Sequence, residues 1–380
     1  MKISYISTFY PLRGGIAHFN ALLFQALAGR GHTLRAITFS RQYPKLLFPG
    51  KTQDEQGNED ELYKTNAEVL LDSINPLSWI QVGMKVRSFN PDIVLFKYWI
   101  TFFAPCYFVI SLFAKVGRKT RVVYVLDNFH PHEQRPGDKL LLWLATRFVD
   151  GYIVMSDKVE QDLKKYFPNP KYEKAPHPIY NIFGDAIPTP EARRNLGLSE
   201  QGKVILFFGY IRKYKGLDIL LEALPEIVQH HPDLKVLIAG EFYEDEALYR
   251  KKIDELNLWP HIILKSDYIP NNEVSRYFCA ADCVVLPYRS ATQSGIVQIA
   301  YHFDRPSIVT NVGGLSEVVL DEKTGYVTRE GDAKAIANAV RRFYNEQGQI
   351  DFQSNIRKEK EKYSWETFAT AVETLCKKFV

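Results

Sequence analysis

Short apolar, β-branched runs alternate with stretches of helical pattern along this chain, and the alternation occurs twice. In the first half the runs are KISYIS (2–7), TLRAITF (33–39), DIVLFK (92–97), RVVYVL (121–126) and GYIVM (151–155). A proline-rich passage, KYEKAPHPIYNIFGDAIPTPE (171–191), interrupts them. The pattern restarts with KVILFF (203–208), KVLIAG (235–240), HIILK (261–265), DCVVLP (282–287) and PSIVT (306–310). Few polar residues break these runs, as strands covered on both faces require. The alternation predicts an α/β chain of two Rossmann-like, doubly wound domains facing each other across a cleft. A length of 380 residues, too great for one ordinary core, agrees with two domains.

The totals remove several function classes. With 46% hydrophobic and 24% charged residues the chain reads as soluble and globular. A formal charge of +4 is too mild for a nucleic-acid binder, though it allows a weak preference for anionic ligands or lipid surfaces. Cys106, Cys279, Cys283 and Cys376 have neither metal-ligand nor disulfide-framework spacing, so buried thiols in a reducing compartment are expected. The opening MKISYISTFYPLRGG lacks the basic start and cleavable apolar core of a signal peptide. Residues 98–114, YWITFFAPCYFVISLFA, are uncharged and aromatic-rich, fall short of a comfortable span, and are interrupted by Pro105. A buried helix over a parallel sheet is the preferred reading. The other is a helix whose edge dips into a bilayer surface. The location expected is cytoplasmic, with the inner face of the membrane as the variant of that reading.

In doubly wound sheets ligands sit beyond the carboxyl ends of the strands, so the loops there should carry the chemistry. After the first strand comes RGGIAHF (13–19), in which Gly14 and Gly15 open a helix. After the first strand of the second half comes FFGYIRKYKGLDILLEAL (207–224). There Gly209 and Gly216 bracket Arg212, Lys213 and Lys215, ahead of a helix with Leu217, Leu220, Leu221 and Leu224 on one stripe. TQSGIVQIA (292–300) and NVGGLSEVV (311–319) are two more glycine-bearing helix starts. Free backbone N–H groups at such starts favour an anion, and nearby cations reinforce it. Each loop alone reads equally as a tight turn with solvated lysines. Together they point to a phosphate-bearing ligand. The chain has no G-x-x-x-x-G-K-[ST], no G-x-G-x-x-G after the first strand and no H-E-x-x-H. A nucleotide held by basic side chains and helix starts, with no tight protein metal site, is what remains.

These loops resemble those of retaining glycosyltransferases of family 4, and the likeness covers nearly the whole chain. In the first half it is carried by RGGIAHFN (13–20), DNFHPHEQRPGDKLLLWLATRFVDGYIVMSD (127–157) and APHPIY (175–180). In the second half it is carried by FFGYIRKYKGLDILLEAL, IAGEFYED (238–245), YIPNNEVSRYFCAADCVVLPYRSATQSGIVQIAY (268–301) and VGGLSEVVLDEKTGYV (312–327). The resemblance implies a GT-B fold, with an acceptor-side domain over residues 1–178 and a donor domain over 182–363. KYSWETFATAVETL (362–375) resembles the family's last helix, which implies that 364–380 cross back to the first domain. It implies transfer of a sugar from a nucleotide diphosphate to a glycan or lipid-linked acceptor in polysaccharide or glycoconjugate assembly. The donor is a UDP-sugar by preference, with a GDP-sugar as the other option, and no tightly bound cofactor is implied.

Carried over by position, Arg212 and Lys215 would neutralise the diphosphate as charge builds on the leaving group. The common pattern places the arginine directly after the glycine, where this chain has Tyr210, so Arg212 must reach from two residues further on. Gly209 belongs to the same loop. Gly14 and Gly15 would offer backbone N–H groups to the diphosphate from the opposite domain. Tyr268 and Ile269 correspond to residues that hold the base. Glu241 reads either as a ligand contact or as an exposed acidic loop residue, and Asp282 as a strand-start residue. In DNFHPHE, His132 and Glu133 match the family's H-N-x-x-P-H-E while Asp127 replaces a histidine. His132 reads either as a hydrogen-bond or proton partner of the sugar or as a loop-packing residue. His177 reads as a hinge contact.

The family's usual two glutamates, eight apart, fall here on Ser290 and Gln298. Gln298 can still bond ribose hydroxyls, because an amide both accepts and donates. A helical wheel sets it opposite the Ile296/Ile299/Ala300/Phe303 stripe, predicting that it need not be buried. Ser290 carries no charge beside the donor sugar, which implies altered sugar contacts in a variant subgroup. Retaining enzymes of this fold are thought to use the leaving phosphate as base, so no carboxylate is obligatory. The amides of Thr292, Gln293, Ser294, Gly295 and Ile296 would cradle phosphate or sugar. A homologue that binds a sugar nucleotide or a partner without transfer is the alternative that Ser290 and Gln298 motivate.

Overall fold

A computed structural model describes residues 1–44, 52–54, 65–129, 137–346 and 348–379. The chain divides into two compact units, one of residues 1–178 with 363–380 and one of residues 179–362.

The first unit runs β1 (Lys2–Ile6), α1 (Gly15–Gly29), β2 (Thr33–Arg41), β3 (Glu68–Asp72), α2 (Pro76–Phe89), β4 (Ile93–Tyr98), α3 (Ala104–Lys115), β5 (Arg121–Leu126), α4 (Asp138–Thr146), β6 (Gly151–Val154), α5 (Asp157–Tyr166) and β7 (Tyr172–Lys174). Its strands form one parallel sheet in the order β3-β2-β1-β4-β5-β6-β7. The second unit runs α6 (Thr189–Asn195), β8 (Val204–Phe208), α7 (Leu217–His230), β9 (Lys235–Ala239), α8 (Glu246–Glu255), β10 (Ile262–Lys265), α9 (Asn271–Ala280), β11 (Cys283–Leu286), α10 (Gly295–His302), β12 (Ser307–Thr310), α11 (Leu315–Val318), β13 (Gly325–Thr328), α12 (Ala333–Asn345) and α13 (Phe352–Glu359). Its sheet is also parallel, in the order β10-β9-β8-β11-β12-β13. The last helix, α14 (Trp365–Lys377), belongs to the first unit.

All ten apolar runs become strands, and among the described residues three strands lie outside them. β3, β7 and β13 were hidden because each sits at or beside a sheet edge and is short or polar: EVLLD, YEK and GYVT. A strand with an open edge needs no continuous apolar run.

The 98–114 segment is not one element. Tyr98 ends β4, Thr101–Phe103 make a 3-10 turn, and Pro105 lies in the first turn of α3 rather than interrupting a helix. A proline there forfeits only an N–H that has no intrahelical partner. The inner side of α3 is buried through Cys106, Tyr107, Ile110 and Ala114. No helix among the described residues is long and apolar enough to cross a membrane.

Each core follows from its alternation. In the second unit Leu217, Leu220, Leu221 and Leu224 of α7 are at most 1% exposed, as the stripe predicts. Each contributes about 1.5–3 kcal/mol by leaving water. In the first unit Phe19 of α1 meets Trp365 and Phe368 of α14 edge-on at 5.1 and 5.4 Å. Glu373 of α14 receives Arg30 Nε and Nη2 at 2.9 and 2.7 Å, which fixes that helix to the end of α1. All four cysteines are free and buried. Asp282 is the strand-start residue expected: it accepts from Arg193, Val204 N and the Tyr344 hydroxyl.

Candidate functional site

The order of the second sheet reverses between β8 and β11, and this switch point is where an open α/β sheet leaves a crevice beyond its strand ends. The two loops that leave those strands are 209–216 and 287–294, the stretches singled out by their glycines and cations. They are fastened directly to each other. Arg289 donates to both Asp218 oxygens at 2.7 Å and to the Lys213 carbonyl at 2.9 Å. Its own N–H donates to Tyr214 O at 2.7 Å. Burial works to raise the Asp218 carboxyl, and the Arg289 bonds outweigh it, leaving the group below the usual carboxylate range.

Two glycines make this closeness possible. Gly216 has φ +70, and a side-chain carbon there would lie 2.0 Å from the Pro287 carbonyl oxygen. Gly313 of the NVGGL loop has φ +51, and its side-chain carbon would lie 1.7 Å from the Ala291 carbonyl oxygen. Gly314 N donates to Thr292 O at 3.0 Å, so this fourth glycine-bearing loop buttresses the 290–294 segment from behind.

Lys215 is the focus of the site. It is 8% exposed, and among the described residues its ammonium has neither a hydrogen-bond nor an ion-pair partner. Burial, reinforced by the nearby Arg212 charge, pushes it down to about 7. A side-chain carbon on Gly209 would lie 3.1 Å from Lys215 Nζ and 3.2 Å from Ile296 Cδ1, so the glycine leaves the space that the ammonium and α10 share. Arg212 is exposed and lies over the Tyr243 ring, 4.8 Å from its centroid. Tyr243 packs at 4.6 Å on Tyr210, which stacks on Tyr268 at 6.4 Å. Tyr210 thus ties the loop to the Tyr268–Ile269 segment.

α10 offers the open helix start. Ser294 caps it, its hydroxyl accepting from Ile296 N at 3.2 Å, and no acidic residue lies in its first turn. α7 differs, because Asp218 already occupies its first turn with Arg289 as counterion. The helix start free to meet an incoming anion is therefore that of α10. Gly295 packs on the Tyr180 ring, its would-be side-chain carbon 3.1 Å from Cε2.

One sequence expectation is corrected, for Gln298, and one of the two readings of Glu241 is removed. Gln298 is 1% exposed rather than turned away from the packed face, and its Oε1 has no hydrogen-bond partner among the described residues. α10 is short, and Val297, Ile299, Ala300 and Tyr301 are buried as well, so its packed side extends beyond the apolar stripe and takes in Gln298. Glu241 is not an exposed loop residue but 2% exposed. Its backbone carbonyl accepts from Ile211 N at 2.9 Å, which sets the root of the Arg212 loop. Ser290 is exposed, while Thr292 and Gln293 are half-buried.

In the first unit Gly14 is the N-cap of α1 and Gly15 its first residue, as the RGG pattern predicts. Buried Asn20 anchors this helix: it accepts from Tyr5 and donates to Ser7 Oγ and Thr8 O. His177 is buried against Phe19 at 5.2 Å, and burial together with Lys97 pushes it down to about 3, so it stays neutral. Asp127 pairs with Lys97, itself 1% exposed, at 2.7 Å. His132 and its neighbours His130 and Glu133 lie outside the described residues. No group of three or more His, Cys, Asp or Glu among the described residues could hold a metal ion.

Sequence reasoning missed the Arg289–Asp218 pair, Tyr180, and buried Tyr288, whose ring centroid lies 5.7 Å from Lys215 Nζ. The one available signal was an acid in the first turn of α7 just after three cations, which calls for a counterion.

Residues 188–363 match the family model described as glycosyl transferases group 1. A D-inositol 3-phosphate glycosyltransferase of Corynebacterium urealyticum is 31% identical over 190 residues, covering 48% of this chain and 44% of that protein. The chain spans about half the length of the curated relatives it matches first. Among solved structures, sucrose-phosphate synthase of Thermosynechococcus elongatus superimposes with a TM-score of 0.75 at 17% identity, covering 100% of this chain and 99% of its own. Anabaena Alr3699/HepE in complex with UDP gives 0.75 at 17% identity, covering 99% and 100%. The two parallel-sheet units therefore have the GT-B fold, and residues 188–363 are similar to glycosyl transferases group 1.

Proposed function

We propose that this protein is a retaining glycosyltransferase that moves a sugar from a nucleotide diphosphate, with UDP preferred over GDP, onto a glycan or lipid-linked acceptor. The observation that carries the reading is the buried Lys215 ammonium, without a hydrogen-bond or ion-pair partner among the described residues, beside the acid-free start of α10 at the switch point of the second sheet. A buried cation without a counterion is costly unless an anion completes it, and a diphosphate does so. Lys215 and Arg212 then stabilise the charge that grows on the leaving phosphate. The Thr292–Ile296 segment lies along the same anion, and Gln298 Oε1 accepts from a ribose hydroxyl. Tyr268 and Ile269 hold the base, and residues 182–363 form the donor domain. Gly14, Gly15 and His132 complete the reading from the acceptor side. The UDP bound by Anabaena HepE and the glycosyltransferase activity named for the D-inositol 3-phosphate relatives support the donor class.

A second reading, a homologue that binds a sugar nucleotide without transfer, is favoured by the exposed, uncharged Ser290. A panel of UDP-, GDP- and ADP-sugars with candidate acceptors, scored for nucleotide release, separates the two. Release together with an unchanged anomeric configuration in the product supports retaining transfer. Binding that never leads to release, and that Lys215→Ala abolishes, supports the second. No binding of any nucleotide refutes both.

A further inference from the structure

In the second unit the loops that leave β8 and β9 run on as a pair beyond the ends of their strands. Ile211 forms a parallel bridge with Phe242. Ile211 N donates to Glu241 O at 2.9 Å, and Tyr243 N donates to Ile211 O at 3.0 Å. Gly240 comes so near the first loop that a side-chain carbon there would fall 2.2 Å from the Gly209 carbonyl oxygen. Glu244 completes the join, its Oε1 accepting from Lys213 N at 2.6 Å and its Oε2 from the Tyr249 hydroxyl at 2.9 Å. Between these ties the Arg212 guanidinium meets the Tyr243 ring, 4.8 Å from its centroid. The ring is itself braced by Tyr210 at 4.6 Å, and Tyr210 by Tyr268 at 6.4 Å.

This site holds its two guanidinium groups in different ways. Arg289 is held by the Asp218 carboxylate at 2.7 Å, which cancels its charge. Arg212 has no ion pair among the described residues, and the acid nearest Tyr243 in the chain, Glu244, already has both oxygens engaged. An aromatic face attracts a cation through its quadrupole and adds no formal negative charge. A guanidinium held on a ring therefore keeps its full charge for an incoming anion, whereas one held on a carboxylate does not. That charge already acts on the neighbouring cation: burial first and Arg212 second hold Lys215 down at about 7. The ring also narrows the range of a long side chain on an exposed loop, and this lowers the entropy lost when an anion arrives.

We propose that Tyr243 is a positioning residue of the donor site, its ring holding the Arg212 guanidinium ready for the diphosphate without neutralising it. Tyr243 acts through Arg212 and touches no part of the nucleotide. The inference rests on the donor-site reading given above and deepens it.

The test is titration of the full chain with UDP, pyrophosphate and uridine. Two ring-free variants, Tyr243→Leu and Tyr243→Gln, guard against the misfolding of either, with urea midpoints as the check. Each should weaken UDP and pyrophosphate by the same factor, about three- to tenfold, and leave uridine unchanged. Tyr243→Phe keeps the ring face and should bind within about twofold of wild type. Arg212→Gln should weaken UDP about tenfold or more, and adding Tyr243→Leu to it should cause no further loss. That last result separates positioning through Arg212 from a general loosening of the loop, which would weaken the double variant further. Additive losses, ring-free variants that bind UDP as wild type does, or uridine weakened as much as UDP would each overturn the inference while leaving the donor site in place. If Arg212→Gln binds UDP like wild type, or no nucleotide binds, the donor-site reading fails and this inference with it.

Discussion

Replacing Lys215 by methionine should stabilise the free protein and remove its affinity for a nucleotide diphosphate. The ammonium is 8% exposed, and burial with Arg212 lowers it from 10.5 to about 7. That displacement corresponds to about 5 kcal/mol of disfavour for the charged form. The unfolded chain keeps this proton up to about 10.5 while the folded chain releases it near 7. Between those values the unfolded state binds more protons, so wild-type stability rises with pH across that window and is lowest below it. Methionine has similar volume and no charge, so the variant should lack this rise, and its advantage should be largest at or below about pH 7. Ligand affinity should move the other way. A bound diphosphate restores the counterion and draws the proton back, so UDP-glucose should bind up to about tenfold more weakly per pH unit above about 7. Calorimetric titration at about pH 6.5, 7.5 and 8.5, with urea unfolding of both proteins, measures each effect. Affinity independent of pH, or methionine-variant binding equal to wild type, would refute the placement of the diphosphate at Lys215.

Three further outcomes follow from the same geometry. Arg289→Ala removes the two bonds to Asp218 and the tie to Lys213, and should weaken donor binding about tenfold or more while costing about 1–3 kcal/mol of stability. Arg289→Lys, which cannot make the bidentate pair, should recover only part of the affinity, as donor Kd and urea midpoints will show. Gln298→Leu should weaken UDP about tenfold but leave pyrophosphate unaffected and the fold no less stable, because its Oε1 has no partner to lose among the described residues; equal weakening of both ligands argues against a ribose contact. Glu373 is held down at about 2, first by its bond to Arg30 and then by His32, against the effect of burial. Its contribution is therefore present above about 4.5 and lost as pH falls through about 2, and Glu373→Gln should cost about 1–2 kcal/mol at neutral pH after screening, with the gap closing on acidification.

Much of the site was legible because glycines and cations mark loops that must turn sharply and carry charge. Gly209, Arg212, Lys215 and the TQSGIV start occupy neighbouring loops at one switch point, as their spacing after apolar runs implied. Side-chain environments were less legible. Gln298 was expected to have an open side, since a wheel drawn from one helix knows nothing of what packs behind it. Glu241 shows the same limit: its burial depends on the 209–211 backbone bonded beside it, thirty residues earlier in the chain.

By itself the sequence determined two parallel α/β units, because runs of Val, Ile, Leu and Phe too short for helices and too apolar for half-exposed strands have no other stable use. It also determined which loops would favour an anion, since that depends on local backbone and local charge. Tertiary structure decided which charges remain available. Asp218 and Arg289, seventy-one residues apart, neutralise each other across two loops and leave the α7 start taken and the α10 start open. Lys215 was one of three lysines and arginines in a loop until the 209 and 288–296 segments closed around it, and that burial set it apart from exposed Arg212 and Lys213. Pairing and burial are properties of distance in space, which the order of residues constrains only through the fold.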